Sequence, residues 1–351
     1  PARDRRRGMA GAFSRCLAVA ACLAMQTGAH AHHSYSEYDD KTIVEIEGTL
    51  ANVALQNPHV HFFVRGTDSS GRPVTWELES TTLNWLQRIK LPPELLQAGS
   101  HVKFAGWPSK RSAERMYALN MLAADGREVL LFRTAKLRWA STAIGFGAAE
   151  AQSFYEGGVA SGSDTLFRVW ASHLGNPENA LTPTVPLELT EAAKRAVAAF
   201  DPVKDSTESG CKPKGMPRLM SQPPPMEFIA RGDDVLLRTE EYDTVRTIHM
   251  VRPSDVDAQP RTPLGYSVGR WDGNTLVVET SRLDSPYLNA AGVPLGAKAS
   301  MVERFTPAAD GSRLDYSLVV TDPDSLLRPA ELRRIWVYRP GETVLPFNCK
   351  E

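Results

Sequence analysis

Hydrophobic and polar residues alternate along two long stretches of the chain, which a less regular middle part separates. In the first stretch, short runs of β-branched and apolar residues at period two are divided by turn sequences, as in half-buried strands. Five or six strands with one short helix are typical of a small closed barrel of the OB type, which we predict for residues 32–133. Gly48 and Gly106 stand where its strands must bend sharply, and Ser80 or Thr81 is expected to cap the helix.

The second stretch, residues 211–351, continues the alternation to the C-terminus. Asp272-Gly-Asn274 and Asp310-Gly311 stand between alternating runs, and Asp-Gly in this position is one of the strongest hairpin signals. Eight or nine strands joined by tight turns predict an up-and-down antiparallel barrel, similar to a lipocalin. The expected fold class is therefore mainly β, with two barrels and short helices between them.

The middle part, residues 134–210, is predicted to be a linker, because its beginning is rich in Ala, Gly and Ser. Within it, residues 165–170 predict a short strand. Residues 191–200 predict a helix that begins after Thr190, whose hydroxyl can accept a hydrogen bond from the first turn.

The first 31 residues have the pattern of an export signal. A basic region precedes the apolar residues 17–25, and Ala29-His30-Ala31 is a small-x-small cleavage sequence. The apolar stretch is much shorter than the ~20 residues that span a bilayer, and no later stretch is long and apolar enough to do so. We therefore expect cleavage after Ala31, a mature protein that begins at His32, and a periplasmic or secreted location without a transmembrane span.

The charge balance and the cysteines change with this cleavage. The whole chain has 40 basic and 41 acidic residues, and the expected mature chain has 35 and 40. This balance leaves no excess of basic residues to bind the phosphates of nucleic acid, so a nucleic-acid partner is not expected. Cys16 and Cys22 would leave with the signal, although lipid attachment at Cys22 is a weaker alternative. In an oxidising compartment Cys211 and Cys349 are expected to form a disulfide, with two free thiols as the alternative.

Histidines near the predicted mature N-terminus suggest a metal site. A mature His32 would offer both its α-amine and its imidazole, and nitrogen-rich tetragonal sites suit Cu(II). His59 and His61 are two residues apart on a predicted strand, so their side chains point to one face, and His33 adds another imidazole. The alternative is that the N-terminal tail is a solvated arm and that the strand histidines make ordinary surface contacts.

The predicted second barrel is of a kind that can hold one small ligand. We expect this ligand to be a small, partly apolar molecule. Tyr242, Arg246, Tyr266 and Trp271 are the residues expected to line its site.

Charged residues on the strands of this barrel also suggest chemistry. By strand parity Arg246 points inward, and an inward arginine needs a carboxylate such as Glu240 or Glu303. His249 with a carboxylate such as Glu240 is the candidate acid–base pair. The alternative is a ladder of paired charges on the outer face. The sequence contains no nucleophile elbow, phosphate-binding loop, dinucleotide-binding glycine set or zinc-binding His-Glu-x-x-His, so binding is favoured over catalysis.

Two sets of motifs carry resemblances to uncharacterised proteins. The first set resembles a family of small exported bacterial proteins with a domain of unknown function, and consists of His32-His-Ser34, Gly48-Thr49, Asn57-Pro-His59, Trp76-Glu-Leu-Glu79 and Gly106-Trp-Pro108. The second set resembles a widespread group of exported bacterial proteins, and consists of Gly215-Met-Pro217, Pro225-Met-Glu227, Arg246-Thr-Ile-His-Met250, Gly265-Tyr-Ser-Val-Gly-Arg-Trp271, Val302-Glu-Arg-Phe305 and Asp322-Pro323. These resemblances imply a fold and an exported location, but no activity, cofactor or catalytic residue.

The sequence is therefore compatible with three functions. The leading hypothesis is an exported binding or accessory protein that holds a small molecule in its second barrel. The alternatives are a periplasmic copper-binding protein that uses His32, His59 and His61, and a cofactor-free enzyme that uses His249. The sequence identifies no protein partner.

Overall fold

The structure, a computed structural model, covers two β-rich bodies and parts of the segment between them. The described residues are 37–133, 135–145, 166–172, 180–202, 204–205, 211–222 and 224–350. Within these ranges, no helix is long and apolar enough to cross a membrane. The predicted export signal, residues 1–31, lies outside the described residues, as do His32 and His33.

The first body is a closed five-stranded barrel. Its strands are β1 (Val44–Ala54), β2 (His61–Thr67), β3 (Pro73–Glu79), β4 (His101–Pro108) and β5 (Arg115–Ala123), with α1 (Leu83–Arg88) between β3 and β4. β1 pairs with both β2 and β4, and a parallel pairing of β3 with β5 closes the barrel. This is the strand order of an OB fold, so the prediction for this part is confirmed. β6 (Glu128–Leu130) and β7 (Ala143–Ile144) extend the sheet beyond β5.

Glycines allow strands of this small barrel to approach closely. A Cβ atom at Gly48 would lie 2.3 Å from the carbonyl oxygen of Arg65, and one at Gly106 would lie 2.0 Å from that of Tyr117. Gly106 also marks a register shift between β4 and β5, as expected for a bend. The helix cap differs from expectation, because Thr82, and neither Ser80 nor Thr81, accepts the N–H of the first turn.

The second body is a closed nine-stranded barrel. Its strands are β8 (Val169–Ala171), β10 (Met226–Arg231), β11 (Asp234–Thr239), β12 (Val245–His249), β13 (Tyr266–Asp272), β14 (Thr275–Ser281), β15 (Ser300–Pro307), β16 (Arg313–Thr321) and β17 (Ala330–Tyr338). β10 to β17 neighbour one another in chain order, β16 pairs with β17, and β8 lies between β10 and β17. β9 (Thr182–Pro183) pairs with β17, and α2 (Glu191–Ala199) begins after Thr190 as predicted.

Two features of this barrel depart from a simple up-and-down meander. β12 and β13 pair in parallel, because residues 250–265 form a long connection instead of a hairpin. β8 comes from the segment predicted to be a linker, and it bridges the first residues of β10 and the last residues of β17. The remaining neighbours in β10 to β17 are antiparallel, as the alternating pattern predicted.

Large side chains and the ion pair of Arg246 with Glu303 fill the second barrel. Trp170, Phe305 and Trp336 are at most 1 % exposed and belong to its main apolar cluster. Among them, Arg246 donates hydrogen bonds to both carboxylate oxygens of Glu303, which confirms the expected inward arginine and its partner. Arg246 also donates to the hydroxyls of Ser267 at 3.0 Å and Thr280 at 2.7 Å, and the Tyr316 hydroxyl donates to Glu303 at 2.9 Å.

A disulfide joins Cys211 to Cys349, as the sequence predicted, with 5.6 Å between their Cα atoms. Residues 339–350, which we name the C-terminal strap, leave the second barrel after β17 and reach the first barrel. The strap therefore connects both barrels, and the disulfide holds its end to residue 211.

Candidate functional site

A cavity of about 530 Å³ lies where the two barrels meet. The first barrel and the segment after it supply Pro58, His59, Glu79, Trp85, Arg88, Tyr117, Phe132 and Arg133 to its wall. The rest of the chain supplies Ser172, Lys214, Arg218, Gln222, Pro224, Pro225, Glu240, Glu241, Tyr242, Glu342 and Phe347. Its volume lies within the range of about 300–1,000 Å³ that is usual for small-molecule sites.

Asn57, in the turn before β2, fixes one side of this cavity. Its side-chain amide donates to the carbonyl oxygen of Phe347 and, at 2.9 Å, to the side chain of Asn84. Its side-chain oxygen accepts the N–H of Leu83 at 2.9 Å, and its own carbonyl accepts the N–H of Lys350 at 3.0 Å. One buried side chain thus links the start of α1 to the C-terminal strap, and it places Pro58 and His59 at the cavity wall.

The turn between β11 and β12 holds the strap from the other side. Glu240 accepts the N–H of Leu345 at 2.9 Å and, at 2.7 Å, one guanidinium N–H of Arg88 from α1. Asp243 accepts the N–H groups of Phe347 at 2.8 Å and Asn348 at 3.1 Å. A short turn of the second barrel therefore binds both the strap and the first barrel.

Tyr242 and Asp243 in this turn have positive φ angles of 55° and 49°. Such a conformation is unfavourable for residues other than glycine and is frequent near functional sites. The hydrogen bonds of Asp243 to the strap hold the turn in place, and the Tyr242 ring then packs 5.1 Å from that of Phe347. Burial, and next the charge of Glu241, raise the pKa of Tyr242 to about 12, so its hydroxyl is protonated at neutral pH.

Aromatic rings form the wall on the side of the first barrel. Tyr117 lies 5.8 Å from Phe132 and 5.7 Å from Trp107, measured between ring centroids. Tyr38 packs edge-on against Tyr117 from behind. Trp85 of α1 adds a further ring to the wall. This side of the cavity is therefore largely apolar, and the half-buried Phe132 ring can contact an apolar or aromatic molecule.

Charged side chains surround these rings, and several are already paired. Arg88 contacts Glu240 and, at 3.0 Å, Glu342. Burial opposes the charge of Arg88, but the two carboxylates outweigh it and raise its pKa. Lys214 donates to Glu241 at 2.8 Å and to Gln222 at 2.7 Å. Burial lowers the pKa of Arg218.

His59 and Glu79 form a separate polar group at the wall. The Nδ1 atom of His59 lies 2.9 Å from the carbonyl oxygen of Ser80 and 3.4 Å from the Glu79 carboxylate. Because a carbonyl only accepts, the neutral ring carries its proton on Nδ1. The Tyr38 hydroxyl donates to Glu79 at 2.7 Å, and burial, followed by this carboxylate, raises the pKa of Tyr38 far above its usual range. The group can orient a polar atom of a ligand.

The structure places the four predicted ligand-binding residues in different surroundings. Tyr242 lies in the wall of the cavity between the barrels, whereas Arg246 is buried inside the second barrel with Glu303. Tyr266 stacks on His249 with 4.7 Å between ring centroids. Trp271 is 45 % exposed at the end of β13. The four residues do not form one site.

The two catalytic candidates are also in different surroundings. Nδ1 of His249 lies 3.1 Å from Asp234, its neighbour across the β11–β12 pair, and both side chains are about one-third exposed. Glu240 lies in the cavity wall and is bound by Arg88. A catalytic role of His249 stays a prediction.

The structure locates only part of the predicted copper site. His59 and Val60 precede β2, which begins at His61. The half-exposed His59 and His61 alternate with the buried Val60 and Phe62, and His61 contacts Glu77 at 3.2 Å. Among the described residues, no group of three or more His, Cys, Asp or Glu side chains is arranged to hold a metal. His32 and His33 fall outside those residues, so copper binding stays a prediction.

Several residues of the cavity wall were not predicted as site residues, notably Arg88, Arg133, Lys214 and Arg218. Isolated basic residues carry no signal when neither spacing nor periodicity brings them together. The motif residues Asn57 and His59 did carry a signal, since Asn-Pro-His is part of the set that resembles an uncharacterised family.

Fold and site together define a two-barrel β protein with a cavity between the barrels, closed in part by a disulfide-held strap. Residues 19–116 match a family of unknown function, DUF6152. This match covers most of the first barrel and confirms that the N-terminal part resembles an uncharacterised family. No curated protein matches the chain.

Proposed function

We propose that this protein is exported and binds a small, partly apolar molecule in the cavity between its barrels. The observation that carries the proposal is the cavity itself, with its aromatic wall and a few inward polar groups, which is the usual composition of a ligand site. The site differs from the one expected from sequence, because large side chains fill the interior of the second barrel. The second barrel contributes Tyr242 and Glu240 to the wall instead.

A pair of matched variants tests ligand binding. Ala290 and Ala291 are neighbouring exposed residues, but only Ala290 lies in the cavity wall. We expect the neutral dye Nile red to bind the wild type with increased fluorescence. Ala290→Trp should weaken this binding at least fivefold by adding a large side chain to the cavity wall, and Ala291→Trp should leave it unchanged. Equal binding to all three proteins, or no binding to the wild type, would refute the proposal.

The export part of the proposal is supported by the signal-like sequence of residues 1–31 and by the disulfide, a bond that persists in oxidising compartments. Expression in a bacterium followed by mass determination of the mature protein tests it. We expect the mature chain to begin at His32. An intact N-terminus in the cytoplasmic fraction would contradict export.

A further inference from the structure

This inference rests on the proposed ligand binding and concerns the chemical class of the ligand. Among the described residues, four arginine and lysine side chains line the cavity. Arg88 and Lys214 are held by carboxylates, and the charge of Glu241 partly offsets the effect of burial on Arg218. Arg133 differs from them. Its guanidinium lies 5.5 Å from the ring centroid of Phe132, and no ion pair joins it to a carboxylate in the part of the chain that the structure describes.

A second guanidinium lies near Arg133. Arg334 is buried in the second barrel and donates to the hydroxyl of Ser172 at 3.0 Å, and Ser172 is itself part of the cavity wall. Burial, and next the positive charge of Arg133, lower the pKa of Arg334. An anion beside Arg133 would therefore be attracted by its guanidinium and would offset its unfavourable effect on the charge of Arg334.

The cavity wall beside Arg133 is also apolar. Phe132 lies directly beneath Arg133, and Tyr117 packs against Phe132 in the same wall. A ligand that binds here must bring an anionic group to a guanidinium and an apolar body to the rings. The cavity wall also contains the carboxylates of Glu79 and Glu241, which disfavour a doubly charged group, and this points to a single negative charge.

We propose that the ligand is an amphiphilic carboxylic acid, whose carboxylate pairs with Arg133 and whose apolar body packs on Phe132, which Tyr117 supports from behind. Arginine suits this role because its planar guanidinium binds a carboxylate through two parallel hydrogen bonds. A neutral molecule of the same shape lacks this pairing and binds more weakly.

Calorimetric titration with matched probes tests the proposal. The probes are 4-phenylbutyrate and its neutral amide, and decanoate and 1-decanol. We expect the wild type to bind each acid at least tenfold more tightly than its neutral counterpart. Arg133→Gln should abolish this preference. Arg138→Gln should keep it, because Arg138 also lies near an aromatic ring but outside the cavity wall.

The outcomes separate this inference from the proposed function. If acids and neutral probes bind equally, or if Arg133→Gln keeps the preference for acids, the inference is wrong. Binding that is nevertheless weakened by Ala290→Trp would leave the cavity as the binding site. If no probe binds the wild type, both the inference and the proposed function are wrong. Thermal unfolding of Arg133→Gln shows whether the variant is folded.

Discussion

The buried pair of Arg246 and Glu303 gives the sharpest test of how the second barrel is stabilised. Both side chains are at most 1 % exposed, and three hydroxyl groups complete their hydrogen bonds. Arg246→Met would leave the Glu303 carboxylate buried, with hydroxyl donors only. Removing one partner of a buried ion pair costs about 3–5 kcal/mol, because the remaining charge has no compensation. We expect a loss of this size in the free energy of unfolding.

The double variant Arg246→Met/Glu303→Leu separates the charge effect from packing. It removes both charges, and replacing a buried pair by apolar residues is often neutral or stabilising. Some hydroxyl groups lose a partner, at about 1 kcal/mol each. We therefore expect the double variant to be less destabilised than either single variant. Urea unfolding followed by far-UV circular dichroism measures all four free energies.

A different pattern would refute this reasoning. If Arg246→Met costs less than about 1 kcal/mol, or if the two single losses simply add in the double variant, the pair is not coupled. Arg246 would then be available for a role in ligand binding, as the sequence first suggested.

Three further predictions follow from other contacts. Cys349→Ser should lower the free energy of unfolding by up to about 4–5 kcal/mol, because the disulfide closes a loop between residues 138 positions apart; an unchanged urea midpoint would speak against this. Glu128→Gln should cost about 2–3 kcal/mol, since the buried carboxylate accepts the N–H groups of residues 138–140; unaltered hydrogen exchange at those amides would contradict it. Protonated Tyr242 should contribute to the free energy of unfolding below pH 10, and this contribution should decline as the pH rises to about 12. The free energy of unfolding of Tyr242→Phe should fall less steeply over this pH range. An equally steep fall in the variant would disprove the assignment.

The strands of the first barrel were predictable because alternation and turn sequences are local signals. Gly48 and Gly106 marked close approaches that only residues without a Cβ permit. The cap was misplaced by one or two positions because Ser80, Thr81 and Thr82 are chemically equivalent candidates. Only the backbone path selects among them.

Alternation along a strand predicted the direction of a side chain correctly in the middle of β12. Residues at or beyond the ends of strands lay elsewhere than expected. Arg246 pointed inward and met Glu303, as expected. Trp271, which was expected to line the ligand site, lies at the end of β13 and is exposed. Glu240 follows the last residue of β11 and begins a tight helical turn, which takes it out of the strand pattern and into the cavity.

The cavity itself was not predictable from sequence. Its wall combines residues of the first barrel, the strap and the turn after β11, which are up to almost three hundred positions apart. No periodicity reports which surfaces of two barrels meet. The parallel pairing of β12 and β13 was also not predicted. A long connection, unlike a tight turn, allows the next strand to run in either direction.

The position of β8 has a consequence for the integrity of the second barrel. The disulfide encloses β10 to β17 in one covalent ring, whereas β8 enters from outside that ring and fills the gap between its first and last strands. A chain without residues 166–172 would leave the first residues of β10 and the last residues of β17 without their β8 partner, and exposed strand edges invite intermolecular association. A synthetic heptapeptide with the sequence of residues 166–172, added as a donor strand, should restore the monomer in size-exclusion chromatography. Continued aggregation would show that the three residues of β8 do not hold the barrel closed.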